Sequence, residues 1–514
     1  LLYNGGIGTY VKAEFETHEA VKDKANDTTR VNGKQLKVKV VVEGGNLGVT
    51  QMGRIEFAKT GGLICTDAID NSAGVDCSDH EVNIKILFAD IMQKTKMSLA
   101  QRNIILEQMT DNVAQLVLRD NYLQTQVLSY ALARTNELFP INLNFIERLE
   151  KRGLINRTVE FLPSHQEIIE RQRSGTALTL PELAVLLAYS KMVTDAEILQ
   201  SDLVTDSSFN SLLIGYFPKL LQENYQDYIY NHYLRKEIIS NQIANLIVNQ
   251  MGISFVSRFQ EEFRCDVSVI IRAFWAAYQL FNIRGIYAAI ESLDNKVNAN
   301  IQVEMFIRLK KSMERTIRWI MRRFKHKEEL NELVKKYGDD VSQLLKSLPN
   351  ILRARDSEEI SVLEKRYLEA GVTEQVAQIL ARSGAIPQLL DIAFLSHETE
   401  HKLLDVARNY FYLGHTLRMD WLRRNLISLP ENNKWQSLSR SALLADGYSL
   451  YSNFIKNAIE ATVPGDNRFG ETWIKKEPEK IRQINEMIDE LQTYKTLDLS
   501  MLSAVVRELH TILG

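Results

Sequence analysis

Hydrophobic and polar residues follow two different patterns along this chain, one before and one after about residue 95. In the first part, short apolar runs such as Val38–Val42 and Leu63–Cys65 alternate with loop signals and helix-like segments. This order is typical of a doubly wound α/β sheet, of which about two or three strands are expected here. Beyond it, apolar residues recur every three or four positions between scattered glycines and prolines, which predicts an all-α region.

Polar residues and glycines indicate where several helices begin and end. A threonine at the start and Gly61-Gly62 at the end predict a short helix over Thr50–Thr60. The stretch Asn224–Asn249 predicts one long helix that stops near Gly252. Three further segments have the form of capping boxes, each of which would open a helix: Ser78–Glu81, Thr179–Glu182 and Thr194–Glu197.

A basic segment near the middle of the chain, Arg308–Lys327, combines positive charge with an apolar stripe at helical spacing. We expect the stripe to face a core and the charges to face water or another domain, although an anionic partner is the alternative. The basic residues are Lys310, Lys311, Arg315, Arg318, Arg322 and Arg323, with Trp319 among them.

Composition and charge narrow the class of protein. The chain is 45% hydrophobic and 25% charged, which is ordinary for a globular protein, and its 514 residues could hold several domains. A net charge of −3 gives no electrostatic reason to expect a nucleic-acid partner. Three cysteines without a Cys-x-x-Cys spacing predict neither disulfides nor structural zinc and favour a cytoplasmic location. No membrane partner is expected, because no run of about 18 uncharged apolar residues occurs.

Two loops rich in small residues carry the recognisable chemistry, and both follow strand-like runs. Glu43–Asn46 and Asn71–Ser78 resemble the paired cofactor and substrate loops of the glutamate dehydrogenases. Leu2–Lys12 and Ser78–Lys85 resemble the large-subunit bacterial NAD-dependent class in particular, and Leu178–Lys191 resembles the helical region that follows its catalytic domain. The resemblance implies a mainly α chain: residues 1–95 as the second half of a Rossmann-type NAD-binding domain, and residues 96–514 as a helical carboxyl-terminal region, with a possible subdivision near residue 350.

Asparagines and glycines in these loops suit a ligand that carries an amide. An asparagine side chain offers one donor group and one acceptor, which match the carboxamide of nicotinamide, and neighbouring glycines allow a close backbone approach. The resemblance implies that Asn46 and Asn71 bind NAD, with Gly44, Gly45 and Gly74 shaping the loops. The alternative for each asparagine is that it only holds a turn.

Ser78 has two compatible interpretations. It could cap a helix, or it could direct its hydroxyl towards an anion that the helix amino terminus already favours. The resemblance implies that Ser78 binds the side-chain carboxylate of glutamate and that Val75 lines the aliphatic part of the pocket. Relatives that oxidise leucine or valine carry an apolar residue at the position of Ser78, so a branched-chain amino-acid dehydrogenase is the less favoured alternative.

Acidic residues around Ser78 do not predict a metal site. Carboxylates in the first turn of a helix are explained by the helix dipole, and adjacent helical residues point in different directions. We therefore expect no metal, and we do not expect His80 to act as a general base. The acidic residues and histidine concerned are Asp67, Asp70, Asp76, Asp79, His80 and Glu81.

The implied reaction is the NAD-dependent oxidation of L-glutamate to 2-oxoglutarate and ammonium, in a homo-oligomeric full-length protein. The family's catalytic lysine and aspartate are expected upstream of Leu1, as is the glycine-rich dinucleotide fingerprint. Lys12, Lys59 and Lys85 do not match the catalytic positions, so no catalytic residue is assigned. A helical assembly or regulatory module without turnover is the alternative function.

We therefore predict that the 514-residue chain neither binds NAD tightly nor oxidises glutamate when it is purified by itself. The measurement is NADH absorbance with glutamate and NAD, and the product of the complete gene serves as the positive control. Glutamate-dependent NADH above the blank would mean that the catalytic groups lie within this chain.

Overall fold

The strands of this chain lie at its amino-terminal end. The structure, a computed structural model, describes residues 1–324, 327–352, 354–430, 434–463 and 465–513. Within these ranges two small parallel sheets are present, each of two strands. β1 (Leu2–Asn4) pairs with β4 (Val41–Glu43), and β2 (Val11–Lys12) pairs with β3 (Val31–Asn32).

The two predicted apolar runs do pair with each other in parallel. A bridge joins Val40 to Leu63, with hydrogen bonds of 2.9 Å on both sides, so the second run lies beside β4 although it forms no strand of its own. A second bridge joins Val11 to Val49. Because all these pairings are parallel, the segments that follow β1, β4 and Leu63 leave the sheet at the same edge. Their core is a cluster of apolar side chains: Val11, Val41, Val49, Phe57 and Ile64.

The predicted change to helix is confirmed. The chain divides into two compact units, residues 1–271 and 272–514, and α14 (Val267–Leu280) crosses the division. The other helices of unit 1 are α1 (His18–Val21), α2 (Gln51–Lys59), α3 (Asp67–Asp70), α4 (Ser72–Thr95), α5 (Leu99–Ala133), α6 (Thr135–Lys151), α7 (His165–Ser174), α8 (Leu180–Leu199), α9 (Asn210–Tyr216), α10 (Lys219–Asn224), α11 (Gln226–Tyr230), α12 (Arg235–Met251) and α13 (Phe255–Phe263). Short 3₁₀ turns lie at Lys24–Asn26, Gly33–Gln35, Asp202–Thr205 and Ser207–Phe209.

In the described parts of unit 2, the regular secondary structure is entirely helical. The helices are α15 (Ile283–Glu291), α16 (Ala299–Arg323), α17 (Lys327–Ile351), α18 (Ala354–Glu369), α19 (Glu374–Arg382), α20 (Ile386–Thr399), α21 (Leu403–Thr416), α22 (Met419–Ser428), α23 (Lys434–Glu460), α24 (Phe469–Lys476), α25 (Pro478–Gln492) and α26 (Leu499–Leu513), with a 3₁₀ turn at Ser383–Ala385. The predicted subdivision near residue 350 falls between α17 and α18, and residue 353 in that interval lies outside the described residues.

Helix boundaries follow the sequence signals where a cap is present. Thr50 accepts a hydrogen bond from the backbone N–H of Gly53 at the start of α2, as predicted. The capping box at Thr179–Glu182 opens α8, also as predicted. The proposed box at Thr194–Glu197 is wrong, because Thr194 is buried within α8. The long helix predicted over Asn224–Asn249 is likewise broken into α10, α11 and α12, although its end at Gly252 is correct.

The basic helix, α16, is packed more tightly than its charge suggested. Its apolar stripe is buried as predicted, but Lys311 is the only one of its six named basic residues that is exposed. Arg308 donates to the backbone carbonyls of Leu380 and Ala381, at 2.9 and 3.1 Å. The prediction of a solvated face is therefore wrong for most of these charges, because the turn Ser383–Ala385 and neighbouring helices cover that side.

A buried aspartate joins four elements at the centre of unit 2. Asp391 in α20 accepts hydrogen bonds from Trp319 Nε1 (3.0 Å), Arg323 Nη2 (2.8 Å), Ser452 Oγ (3.0 Å) and Tyr410 Oη (3.2 Å). Its side chain is 2% exposed. Each donor is satisfied by the same carboxylate, so a charge can be buried here without an unpaired partner.

One segment of unit 2 has the length and apolar character of a membrane-spanning helix. It covers Glu374–Thr399, its mean hydropathy is 1.2, and 78% of its apolar window is buried within the structure. The 3₁₀ turn at Ser383–Ala385 interrupts it. The segment therefore consists of two helices, α19 and α20, that are packed in the core of unit 2.

We predict that Asp391→Ala lowers the free energy of unfolding of unit 2 by about 3–5 kcal/mol, because it leaves the indole N–H of buried Trp319 without its acceptor and the half-buried guanidinium of Arg323 without its counter-charge. Glu304→Ala is the matched control, since it removes the carboxylate of an exposed pair with Arg366 and should cost about 1 kcal/mol or less.

Tryptophan fluorescence during urea unfolding measures this difference. All five tryptophans lie in unit 2, at positions 275, 319, 421, 435 and 473, so the signal reports on that unit. Equal losses of stability in the two variants would show that the Asp391 network adds nothing beyond a surface pair.

Candidate cofactor and substrate loops

Three segments meet at the carboxyl edge of the parallel strands. The backbone N–H groups of Gly44 and Gly45 donate to the carbonyl of Asn4, at 2.8 and 3.1 Å, so the loop after β4 lies on the loop after β1. A Cβ atom on Gly45 would lie 2.6 Å from the carbonyl oxygen of Gly6, and one on Gly44 would lie 2.2 Å from the Tyr3 hydroxyl oxygen. Gly45 is therefore required by this close approach of two backbones, whereas the exposed side chain of Tyr3 can move away from Gly44.

A buried ion pair fixes the loop that carries Asn46. Glu43, at the end of β4, is 0% exposed, and Arg54 of α2 donates to both of its carboxylate oxygens, at 2.6 and 3.0 Å. One of these oxygens also accepts from the backbone N–H of Val49, 3.0 Å away. Burial raises the pKa of Glu43, and the Arg54 guanidinium opposes this shift. The loop is thus anchored at both ends by one carboxylate.

Two aspartates hold the same loop from the following segment. Asp67 contacts Arg54 at 3.2 Å and accepts a hydrogen bond from the backbone N–H of Leu47, at 2.8 Å. Asp70 accepts from the backbone N–H of Glu43, at 3.0 Å, and burial raises the pKa of Asp70 to about 6. The helix dipole was expected to account for these carboxylates, whereas in the structure they order the loop.

The structure brings the two candidate asparagines together. Asn71 Nδ2 donates to Asn46 Oδ1 at a distance of 2.9 Å. Asn46 is exposed and Asn71 is half-buried, so the amide pair lies at the surface of unit 1. Residues 25 apart in sequence therefore present two amides at one point of the sheet edge.

The remaining candidates lie on the outer face of the first turns of α4. Ser78 is exposed and donates from Oγ to the carbonyl of Gly74, 3.2 Å away, and Val75 is 68% exposed. The predicted capping role of Ser78 is wrong, because α4 begins six residues earlier. Asn121 of α5 stabilises that earlier start by donating to the carbonyl of Ile69 and to Ser72 Oγ, at 2.8 and 3.1 Å.

Several residues that organise this region were missed from sequence. The Glu43–Arg54 pair had one signal, since an acidic residue at the end of an apolar strand requires a partner. In a second group, Asp120 of α5 lies beside Asp76 and His80 of α4, which were considered from sequence and set aside as metal ligands. No local spacing links Asp120 to this pair, because it is 40 residues away from His80.

Comparisons with known proteins cover nearly the whole chain. Residues 1–131 match the family described as bacterial NAD-glutamate dehydrogenase, catalytic domain. Residues 175–511 match the family described as glutamate dehydrogenase, C-terminal. These two matches include both candidate loops and most of the helical region.

Three similar proteins are each named NAD-specific glutamate dehydrogenase. The one from Pseudomonas aeruginosa is 38% identical over 513 residues, which is 99% of this chain and 32% of that protein. The one from Halomonas elongata is 38% identical over 446 residues, or 87% of this chain and 28% of that protein. The one from Mycobacterium tuberculosis is 34% identical over 516 residues, or 99% of this chain and 31% of that protein.

The chain thus spans about a third of the length of the curated relatives it matches. The resemblance found in the two loops is confirmed by matches to both the catalytic and the carboxyl-terminal family descriptions. The chain belongs to the glutamate dehydrogenase family.

Proposed function

We propose that this chain forms the nicotinamide-facing and substrate-facing loops, and the carboxyl-terminal helical region, of an enzyme that oxidises L-glutamate with NAD. The observation that carries the proposal is the Asn46–Asn71 amide pair, 2.9 Å apart, at the carboxyl edge of parallel strands. In open α/β sheets that edge is where ligands bind. Family membership and the names of the relatives support the same reaction.

The residues at the sheet edge fit a ligand that carries a carboxamide. Asn46 and Asn71 would hold the carboxamide of the nicotinamide ring, because each side chain offers both a donor and an acceptor. Gly44, Gly45 and Gly74 would shape the surrounding backbone. Bound NAD supplies the acceptor for the hydride that leaves the α-carbon of glutamate.

The first turns of α4 fit the acidic end of the substrate. The two candidate side chains, Val75 and Ser78, are three residues apart and share one exposed face of the helix. Ser78 would exchange its hydrogen bond to Gly74 for one to the side-chain carboxylate of glutamate, while Val75 would line the aliphatic part. The net reaction converts L-glutamate, NAD⁺ and water into 2-oxoglutarate, ammonium, NADH and a proton.

We further propose that residues 1–95 are the second half of a Rossmann-type domain. The parallel pairing of β1, β4 and Leu63 supports this assignment, and residues 96–514 would be the helical region that accompanies it. The full-length protein would be a cytoplasmic homo-oligomer.

Two alternatives differ in measurable ways. A branched-chain amino-acid dehydrogenase would prefer leucine to glutamate, and a helical assembly module would support no turnover at all. The product of the complete gene, assayed with NAD and either glutamate or leucine, separates all three. Preference for glutamate is expected, because Ser78 provides a donor and not apolar surface at the end of the pocket.

We predict that Ser78→Ala, in the product of the complete gene, raises KM for glutamate about ten- to a hundredfold if KM tracks binding, because it removes a hydrogen bond to a charged group. The effect on kcat should be smaller, since the carboxylate is remote from the reacting carbon. Ser78→Val should also raise the relative rate with norvaline. Thermal stability should not fall, because Ser78 caps no helix and alanine is the better helix former.

Ser129→Ala is a close structural control for this experiment. Ser129 is also an exposed helical serine, and its hydroxyl donates to the carbonyl four residues earlier, at 2.9 Å. An equal rise of KM in both variants, or a lowered melting temperature with unchanged KM in Ser78→Ala, would contradict the substrate-binding role.

We predict that Asn46→Ala and Asn71→Ala each lower kcat/KM, and that the double variant loses less than the product of the two effects. The two amides bond to each other, so the expected coupling is about 0.5–1.5 kcal/mol. Asn156→Ala is the control, because Asn156 accepts from the backbone N–H of Thr158 in a turn far along the chain. If the variants change only the melting temperature and leave the kinetics unchanged, both asparagines hold turns and do not bind NAD.

A further inference from the structure

The inner face of α4 carries a cluster of potential metal ligands that the proposed reaction does not use. Asp76 and His80 lie one helical turn apart and therefore share a face. Asp120 reaches them from α5, and one ligand atom from each of the three side chains lies within 4.8 Å of the other two. Ser78 projects from the opposite side of the helix, since it is two residues from each of them.

His80 is the unusual member of this cluster. It is 1% exposed, and neither of its ring nitrogens has a hydrogen-bond partner among the described residues. Its Nε2 lies 3.8 Å from Asp76 Oδ1, which is too long for a hydrogen bond, and Asp76 Oδ2 is also buried without a partner. Tyr216 stacks on the ring at 4.3 Å and fixes its plane. Buried polar atoms of this kind need a partner, which can be a water molecule or an ion.

The charges around the cluster favour a cation. Burial and the negative charges of Asp120 and Asp79 raise the pKa of Asp76 to about 6, and burial raises the pKa of Asp120. Burial lowers the pKa of His80 to about 4, so its ring is neutral near pH 7 and can offer a lone pair. Lys191 of α8 offsets the negative charge of both aspartates, and Arg119 adds to this effect at Asp120.

We propose that Asp76, His80 and Asp120 bind a divalent transition-metal ion, best matched by Zn²⁺, which ties α4 to α5. One imidazole nitrogen and two carboxylate oxygens are zinc ligands, and three protein ligands leave a fourth position for water. Ligand atoms at about 2.0–2.2 Å from zinc lie about 3–4 Å apart, so small side-chain rotations bring the three atoms into place. Mg²⁺ and Ca²⁺ fit less well, because they prefer an all-oxygen shell.

Lys191 acts as the internal competitor for this site. Its ammonium interacts with both aspartates, while burial lowers its pKa to about 8. Its positive charge partly neutralises the two carboxylates when the metal is absent. Removal of this charge should strengthen metal binding, an effect that a purely structural ion cluster would not produce.

The test is titration of the metal-stripped 514-residue chain with ZnCl₂ by calorimetry at pH 7. One zinc per chain is expected. Loss of a supporting partner typically costs about ten- to a hundredfold in metal affinity, so loss of the ligand in His80→Ala or Asp120→Asn should weaken binding by about a hundredfold or more. Lys191→Met should tighten it by about tenfold, because it removes a like charge from the site. Zinc should also raise the melting temperature of the unaltered chain.

Two controls separate this site from other zinc binding. Glu81→Gln removes an exposed carboxylate one residue from His80 and should leave the affinity unchanged. Cys77 is exposed, so Co²⁺ is added as a spectroscopic probe, and no thiolate charge-transfer band is expected. The proposal is overturned if the chain binds no zinc, if His80→Ala and Asp120→Asn retain full affinity in chains that melt cooperatively, or if Lys191→Met weakens binding.

Discussion

The buried pair of Glu43 and Arg54 is the contact on which the candidate loops depend. It lies where β4 ends, and both of its members make further contacts that hold the loop. Glu43 holds Val49 at the far end of its own loop, and Arg54 reaches Asp67, which in turn holds Leu47. Loss of one partner of such a buried pair costs about 3–5 kcal/mol because the other charge is left unpaired. The exposed amide of Asn46 is therefore presented by an ordered loop, although the residue itself is at the surface.

Helix α4 carries different groups of side chains on its two faces. Val75 and Ser78 face outward near the sheet edge, while Asp76 and His80 face inward towards α5. This division depends on where the helix starts. If α4 began at residue 78, the Ser78 hydroxyl would cap the helix and would be unavailable to a substrate. The contacts from α5 move the start to Ser72, so the hydroxyl bonds only to a carbonyl of its own helix.

In unit 2, charged and polar residues are accommodated in a helical core because several donors share one acceptor, Asp391. Asp391 receives four hydrogen bonds, two of them from α16, the helix whose basic residues suggested a solvated face or an anionic partner. Arg308 of the same helix is satisfied by backbone carbonyls. Most basic side chains of α16 are thus buried or half-buried against neighbouring elements. This removes the main reason to expect an external anion there.

The sequence by itself determined the features that depend on neighbouring residues. Thr50 and the Thr179–Glu182 box marked true helix starts because a cap is a local hydrogen bond, and the two loop motifs identified the family because their residues are consecutive. Tertiary structure decided the features that depend on contacts between residues far apart in the chain. Ser78 had the pattern of a cap, but contacts from α5 place the start of α4 six residues earlier, and no local spacing indicated that Asp120 lies beside Asp76 and His80. Burial and pairing are set by whole elements packing together, so they follow from the fold and not from the local pattern.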